Sequence, residues 1–300
     1  MAEFGRLLTA MATPFAADGS VDYARARELA QALVASGSEG LVVTGTTGES
    51  PTLSNEEKLQ LYVEIKDAVG GRAKIIAGTC TYNTAESIAL SREAVELGVD
   101  GILGTVPYYN KPPQAGLEAH FRAIAEAVDA PILLYNIPSR TSVNMTPETT
   151  IALSRIPNIV GVKEGSANFE AIARIIRGTA PDFRVWSGND ADTLPILALG
   201  GYGVVSVASH LVGRQISAMI QAATNGNLER ATAIHQQLAP LFEALFVTTS
   251  PIPLKYALAR SGFDCGGLRL PLVPIDARSA EIMDQVLARI EVDLPMAVAP

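Results

Sequence analysis

The sequence predicts a (β/α)8 barrel, the TIM-barrel fold, followed by a C-terminal helical region. Three observations lead to this prediction: eight short apolar runs, a helical pattern between consecutive runs, and no linker within the alternation. A length of 300 residues also suits one barrel domain, although a doubly wound open sheet is the rival arrangement. We expect the barrel to occupy residues 1–224 and the helical region, packed on the barrel, residues 225–300.

The eight predicted strands are near-continuous runs of apolar and β-branched residues. This character is typical of parallel strands that are buried on both faces. The runs are Leu7–Thr13, Gly40–Gly45, Lys74–Thr79, Gly101–Val106, Pro131–Asn136, Ile159–Lys163, Phe183–Ser187 and Gly203–Ala208.

The segments between the runs carry charges on one side and apolar residues on the other, as amphipathic helices do. Ser54 is a candidate N-cap, and Pro147 suits the first position of a helix. The barrel helices include Tyr23–Ala35, Asn55–Ala68, Ala85–Leu97 and Gly116–Val128, and the tail is predicted to contain Leu211–Ala223, Leu228–Phe246, Pro253–Ser261 and Ala277–Ile290.

The composition excludes several classes of function. A formal net charge of −8, without a basic patch, disfavours a nucleic-acid or anionic-membrane surface. Two distant cysteines, Cys80 and Cys265, are expected to be free thiols in a reducing compartment. The amino terminus lacks a secretory pattern, and the apolar stretch Leu194–Val212 is interrupted by glycine and proline. We therefore expect a cytoplasmic protein.

Polar residues end four of the predicted strands: Gly45–Ser50, Tyr135–Asn136, Lys163–Glu164 and Ser187–Asp190. Active sites of (β/α)8 barrels are built at the carboxyl ends of the strands, so we expect these residues to meet at one mouth. Lys163 follows a buried run, where burial would lower the pKa of its amine and leave a nucleophile for a carbonyl group. The alternative is a lysine that reaches the rim or pairs with Glu164.

Further candidates surround Lys163 in this reading. The phenol of Tyr135 could move protons beside the amine, or simply pack. Thr46 and Thr47 suit a carboxylate and a proton relay, or an ordinary capped turn. Arg140 could hold a substrate carboxylate through two hydrogen bonds, or be solvated. Tyr109 lies in a loop stiffened by prolines, as a site residue or as part of an aromatic surface patch.

Other catalytic groups are missing from the sequence. His120, His210 and His235 are isolated, the cysteines lack metal-binding spacing, and no HExxH, GxGxxG or GxxxxGK motif occurs. We therefore expect no metal and no cofactor other than a covalent imine with the substrate at Lys163.

Five motifs, in order along the chain, resemble the dihydrodipicolinate synthase and N-acetylneuraminate lyase family. They are GTTGES (45–50), PYYNKP (107–112), LYNIPSRT (134–141), GVKEGS (161–166) and GVVSVAS (203–209), and SPIPLKYAL (250–258) and LRLPL (268–272) extend the match. Two departures are Ser250, where asparagine is expected, and Cys80-Thr81-Tyr82. Arg140 is typical of the synthase branch, in which an arginine binds the carboxylate of aspartate semialdehyde.

The resemblance implies condensation of pyruvate with L-aspartate 4-semialdehyde through a Schiff base on Lys163. It also implies a homotetramer built as a dimer of dimers. The roles that it carries over are Tyr135 for proton transfer, Thr46 and a partner-derived Tyr109 as relay, Thr47 and the backbone of Val205 for pyruvate, and Arg140 with Gly188 for substrate binding. Two alternatives stay open: a lyase acting on a 2-keto-3-deoxy sugar acid, and a non-catalytic keto-acid-binding protein.

Many bacterial members of this family bind lysine at a dimer-interface site, and the match to that site is partial. The residues that match are Ser50, Glu86 and Tyr108; those that differ are Pro51, Asn55, Lys58 and Tyr82. Tyr82 lacks the paired donor and acceptor of an amide, and Lys58 would place a cation near the ammonium of the ligand. We expect weak inhibition by lysine, or none.

Overall fold

A computed structural model describes residues 4–295 and contains a closed barrel of eight parallel strands in the order β1 to β8. The first strand pairs with both the second and the eighth, which closes the barrel. The predicted fold class is therefore confirmed. The strands are β1 (Leu7–Ala10), β2 (Gly40–Val43), β3 (Lys74–Gly78), β4 (Gly101–Thr105), β5 (Ile132–Asn136), β6 (Ile159–Glu164), β7 (Arg184–Ser187) and β8 (Gly203–Ser206).

Helices connect consecutive strands and continue beyond β8. Ser54 caps α2 with a capping box, and Pro147 opens α6, as predicted. The helices are α1 (Tyr23–Ala35), α2 (Asn55–Val69), α3 (Thr84–Glu96), α4 (Gln114–Ala127), α5 (Pro138–Thr141), α6 (Pro147–Leu153), α7 (Phe169–Gly178), α8 (Thr193–Ala198), α9 (Ser209–Thr224), α10 (Leu228–Ala244), α11 (Ile252–Arg260) and α12 (Ala277–Leu287).

Several predicted boundaries were wrong by a few residues. β2 ends at Val43 because Thr44 has a φ of 58°, which a strand does not accommodate. β8 ends at Ser206 because the N–H groups of Val207 and Ala208 donate to the carboxylate of Asp190 instead of to a neighbouring strand. These apolar residues continue the buried run after the strand itself has ended.

The amino-terminal end of the barrel is closed by aromatic side chains. The indole N–H of Trp186 donates to the backbone oxygen of Gly5 over 3.0 Å, and its ring lies 6.4 Å from that of Phe4. A Cβ at Gly161 would lie 2.6 Å from the Trp186 ring, so glycine is required there for the indole to fit. Leu8, together with inward-facing residues of the other strands, fills the space above. Phe4 and Trp186 therefore fill the barrel interior at its amino-terminal end.

The C-terminal helices lie against the barrel and against one another. The predicted division at 224/225 falls between the end of α9 and the start of α10, and residues 1–3 and 296–300 of the two predicted regions lie outside the described residues. A buried contact between Lys255 of α11 and Glu49 joins this region to the barrel. Cys80 and Cys265 are free thiols. Within residues 4–295, no helix is long and apolar enough to span a bilayer.

Candidate active site

A cavity of about 300 Å³ opens at the carboxyl ends of the strands and brings together most of the predicted site residues. Larger cavities, of about 410 and 590 Å³, lie at the opposite end of the barrel, and neither is lined by Lys163. Size alone would therefore have selected the wrong end of this barrel. The predicted residues that line the carboxyl-end cavity are Gly45, Thr46, Thr47, Tyr135, Arg140, Lys163, Gly188 and Asn189. The expectation was wrong for Gly48, Glu49, Ser50, Ser187 and Asp190, which do not line it.

Lys163 lies inside the barrel because strand alternation points it inward from β6. Its exposed fraction is only 5%, and its Nζ atom lies 4.1 Å from the centroid of the Tyr135 ring. Burial lowers the pKa of Lys163 to about 7, and the cation of Arg140 acts in the same direction, whereas Asp190 opposes the change. A large fraction of this amine is thus neutral, and nucleophilic, at physiological pH.

Glu164 points away from the cavity and does not pair with Lys163. Because Lys163 is also buried, the alternative prediction, a lysine that reaches the rim or pairs with Glu164, is wrong. The Glu164 carboxylate accepts hydrogen bonds from the side-chain amide of Asn136 at 3.1 Å and from the backbone N–H of Ser166 at 2.9 Å. Asn136 and Glu164 therefore bond to each other outside the mouth, and our expectation that they would line it was wrong. The reason is the alternation of a strand, which places adjacent residues on opposite faces.

Asp190 is the buried carboxylate behind the lysine. It accepts hydrogen bonds from the hydroxyl of Ser206 and from the backbone N–H groups of Val207 and Ala208, both at 3.0 Å. Burial raises the pKa of Asp190, although these hydrogen bonds and the charge of Lys163 oppose the rise. The carboxylate is held rigidly, and its negative charge favours the protonated form of Lys163.

Tyr135 remains a proton donor over the whole physiological range. Burial raises the pKa of its phenol to about 12, against the opposing influence of Arg140. Within residues 4–295 no hydrogen bond joins Tyr135 to Thr46, so a proton relay is not formed in this single chain. The phenol and the amine are nevertheless adjacent, as imine chemistry requires.

Thr46 and Thr47 lie in a tight turn that follows β2. The N–H of Gly48 donates to the oxygen of Gly45, that of Glu49 donates to the oxygen of Thr46, and the Thr13 hydroxyl donates to the oxygen of Gly48 at 2.7 Å. A Cβ at Gly48 would lie 3.0 Å from the backbone oxygen of the residue that follows β1. This close approach of the two backbones favours glycine. The turn presents both threonines to the cavity.

Arg140 lies exposed at the rim, on the one-turn helix α5 and not in the open loop that we expected. The helix forms because Pro138 occupies its first turn and the Thr141 hydroxyl bonds to the oxygen of Ile137 at 3.1 Å. Gly188 approaches the backbone of the neighbouring strand end, where a Cβ would lie 2.9 Å from the Cα of Gly165. Both residues face the open side of the cavity.

Val205 and Tyr109, to which the family resemblance assigns roles, do not line this cavity in the single chain. Val205 is buried in the barrel interior, and Val207 lines the cavity instead. Tyr109 is 87% exposed and has a φ of 70°, in a loop whose Asn110 donates to the backbone oxygen of Tyr82. Its side chain therefore projects into solvent, away from Lys163.

The loop between α10 and α11 supplies lining residues that the sequence did not assign. These are Phe246, Thr248, Thr249 and Ser250. Ser250 is buried, and its hydroxyl has no hydrogen-bond partner among the described residues. The one sequence feature that marked this loop was the SPIPLKYAL motif, in which Ser250 departs from the expected asparagine.

A smaller cavity, of about 190 Å³, adjoins the carboxyl-end cavity, and Thr46 and Arg140 line both. Ser50, Pro51 and Tyr108 line it, whereas Glu86 does not. The Tyr82 ring meets that of Tyr108 edge-on at 5.2 Å. Lys58 is buried nearby in α2; burial lowers its pKa, and the charge of Glu86 opposes this. The structure thus gathers part of the predicted regulatory site beside the catalytic cavity.

His210 and His120 have structural hydrogen bonds, and His235 packs against the ring of Phe242. The ring nitrogens of His210 bond to the backbone N–H of Ala12 and the backbone oxygen of Val207, and His120 bonds to the hydroxyl of Thr84. In the described part of the chain, no three His, Cys, Asp or Glu side chains are grouped so that they could hold a metal ion.

Comparisons with known proteins agree with this geometry. The family model of the dihydrodipicolinate synthetase family matches residues 3–290. The 4-hydroxy-tetrahydrodipicolinate synthase of Dehalococcoides mccartyi (strain CBDB1) is 56% identical over 296 residues, which cover 99% of this chain and 100% of that relative. The enzyme of the same name from Symbiobacterium thermophilum is 58% identical over 289 residues, or 96% of this chain and 98% of that relative.

A solved structure of the dihydrodipicolinate synthase from Cyanidioschyzon merolae, with lysine bound, has a TM-score of 0.94 and 50% identity. It covers 95% of this chain, and the match spans 98% of that chain. Both sequence relatives are synthases, and neither is a sugar-acid lyase. The match to the family model over nearly the whole sequence, with relatives above 50% identity, shows that this chain belongs to the dihydrodipicolinate synthetase family.

Proposed function

We propose that this protein is an aldolase-type lyase that condenses pyruvate with L-aspartate 4-semialdehyde to 4-hydroxy-tetrahydrodipicolinate, a step of lysine and diaminopimelate biosynthesis. The observation that carries the proposal is Lys163: a buried amine with a pKa of about 7, in contact with a protonated phenol, at the mouth of a barrel. The names of the relatives support the choice of reaction.

In the first half of the reaction, the neutral amine of Lys163 attacks the ketone carbon of pyruvate. The phenol of Tyr135 delivers the proton that lets the carbinolamine lose water, which leaves an imine and then its enamine. Thr47 and the backbone of Val205 bind the pyruvate, and Thr46 passes protons between Tyr135 and Tyr109. The lysine itself supplies the electron sink, so the proposed reaction needs no dissociable cofactor.

In the second half, the enamine carbon attacks the aldehyde carbon of aspartate semialdehyde and forms the new carbon–carbon bond. Arg140, at the rim, binds the carboxylate of this second substrate through two hydrogen bonds, and Gly188 leaves room for it. The amine of the second substrate then closes the ring on the imine carbon, which releases Lys163. The position of Arg140 at the open edge suits the substrate that enters last.

The proposed active unit is a homotetramer built from two dimers, in the cytoplasm. The single chain supports an assembly because Tyr109 projects into solvent although its proposed relay partner lies in a cavity. A second copy could bring its own Tyr109 to that cavity. Light scattering at micromolar concentration, combined with activity of Tyr109→Phe, tests this part of the proposal.

The decisive experiment is a substrate comparison. Purified protein is given pyruvate with aspartate semialdehyde, and separately a 2-keto-3-deoxy sugar acid, and products are identified by mass. We expect turnover of the first pair alone, and its loss in Lys163→Ala. Lys74→Ala, at the opposite end of the barrel, is the matched control and is expected to retain activity. Cleavage of the sugar acid, or activity in Lys163→Ala, would overturn the proposal.

A further inference from the structure

A buried ion pair connects the C-terminal helices to the turn that carries Thr46 and Thr47. The Nζ atom of Lys255, in α11, lies 2.7 Å from Oε1 of Glu49, and the two side chains are only 4% and 1% exposed. Buried charges are costly to desolvate, so such a pair is weak evidence for stability in itself. Its location next to the catalytic cavity suggests a different role.

The turn needs external support because its backbone is strained. Thr44 and Glu49, at its two ends, have φ values of 58° and 56°. This left-handed backbone conformation costs free energy for residues other than glycine. Such a conformation persists where surrounding contacts fix it. Both carboxylate oxygens of Glu49 are held by the C-terminal region: Oε1 by Lys255, and Oε2 by the backbone N–H of Arg269 at 3.1 Å.

The side chain of Lys255 is also held by contacts other than the ion pair with Glu49. Its Nζ donates to the backbone oxygen of Gly267 at 2.8 Å and lies 4.2 Å from the centroid of the Phe15 ring. The cation therefore has little freedom to follow a displaced carboxylate. On the other side, the backbone N–H of Glu49 donates to the oxygen of Thr46 at 3.1 Å, which connects the pair directly to the cavity-lining residues.

We infer that Lys255 and Glu49 are positioning residues that hold Thr46 and Thr47 in place to receive pyruvate beside Lys163. This inference rests on the proposed function, because it takes pyruvate to be the molecule that the turn binds. It gives the C-terminal region a part in catalysis through Lys255, a residue that does not line the cavity. The second substrate, bound by Arg140 on α5, should depend less on this pair.

The test removes the pair without leaving one charge buried alone. Glu49→Gln/Lys255→Met replaces both charges by side chains of similar volume, and Glu49→Asp keeps the charge but shortens its reach. Arg260→Met is the matched control, because it removes an exposed ion pair with Asp284 from the same helix α11. Each variant is assayed for melting temperature, for KM of both substrates, and for the rate at which borohydride traps the pyruvate imine.

We expect the double variant and Glu49→Asp to have melting temperatures close to that of the parent. Both should raise KM for pyruvate by about tenfold to a hundredfold and slow the trapping of the imine, with a much smaller change in KM for the semialdehyde. Arg260→Met should behave as the parent. Folded variants with parental KM and trapping rate, or equal rises for both substrates, would refute the inference. If the double variant does not fold, Glu49→Asp decides by the same criteria. A parent protein that pyruvate and borohydride fail to label would instead refute the proposed function.

Discussion

Substitution of Lys163 by methionine should make the protein more stable while abolishing its activity. Methionine has a similar volume and no charge, so it fills the same buried position without the cost of desolvating an ammonium group. Among the described residues no carboxylate forms an ion pair with Lys163, and the charge of Asp190 offsets only part of that cost. The amine is thus retained for chemistry at the expense of stability.

The size of the effect follows from the pKa of Lys163, which falls from its ordinary 10.5 to about 7 in the folded chain. One pKa unit corresponds to about 1.4 kcal/mol. The lowered pKa of Lys163 therefore reduces the free energy of unfolding by about 5 kcal/mol well below pH 7 and by about 4 kcal/mol at pH 7. Between pH 7 and 10.5 the unfolded chain binds more protons than the folded one, so stability rises with pH in this window. At pH 9.5 the penalty falls to about 1 kcal/mol.

Denaturant unfolding of parent and Lys163→Met at pH 7 and pH 9.5 measures this difference. We expect the variant to be more stable by up to about 4 kcal/mol at pH 7, with most of the gain gone at pH 9.5. Lys74→Met is the control, because Lys74 is half exposed and its surface pair with Asp100 contributes little. A variant less stable than the parent at pH 7, or a gain independent of pH, would refute the reasoning.

Three further outcomes are expected. Arg140→Ala should raise KM for the aldehyde far more than for pyruvate, and equal rises in both KM values would indicate a structural role. The same variant should move the pH profile of imine formation to higher pH, because the Arg140 cation lowers the pKa of Lys163. Millimolar lysine should inhibit weakly or not at all in initial-rate and calorimetric titrations, given Lys58 and Tyr82; tight binding with strong inhibition would contradict this. Ser250→Ala should change the unfolding free energy by less than about 1 kcal/mol yet raise a substrate KM several-fold, since its buried hydroxyl has no hydrogen-bond partner within residues 4–295; unchanged kinetics would exclude a substrate contact.

The strands and the buried lysine of the cavity were predictable because each depends on local pattern. Parallel strands buried on both faces read as apolar runs, and Lys163 was visible as the polar residue that ends such a run. The same pattern could not separate the inward Lys163 from the outward Glu164, because the direction of a strand-end side chain depends on the register of the whole barrel. Nor could it place Arg140 on a helical turn that Pro138 and the hydroxyl of Thr141 stabilise.

Features that join distant parts of the chain were beyond prediction from sequence. The contact between Glu49 and Lys255 unites a barrel turn with a C-terminal helix, and nothing in either motif specifies the partner. The same holds for Phe4 and Trp186, which close the barrel at its amino-terminal end. The proposed place of Tyr109 in an active site would require a second copy, and a single folded chain leaves this side chain in solvent.

The most direct test of the account is to trap the proposed imine. Protein is incubated with pyruvate, reduced with borohydride, digested and analysed by mass spectrometry, because reduction converts only an imine into a stable secondary amine. We predict one pyruvate-derived group per chain, on Lys163, in amounts that rise as pH increases through 7, where this amine loses its proton. Labelling at another lysine, or no pyruvate-dependent labelling at all, would contradict the central claim.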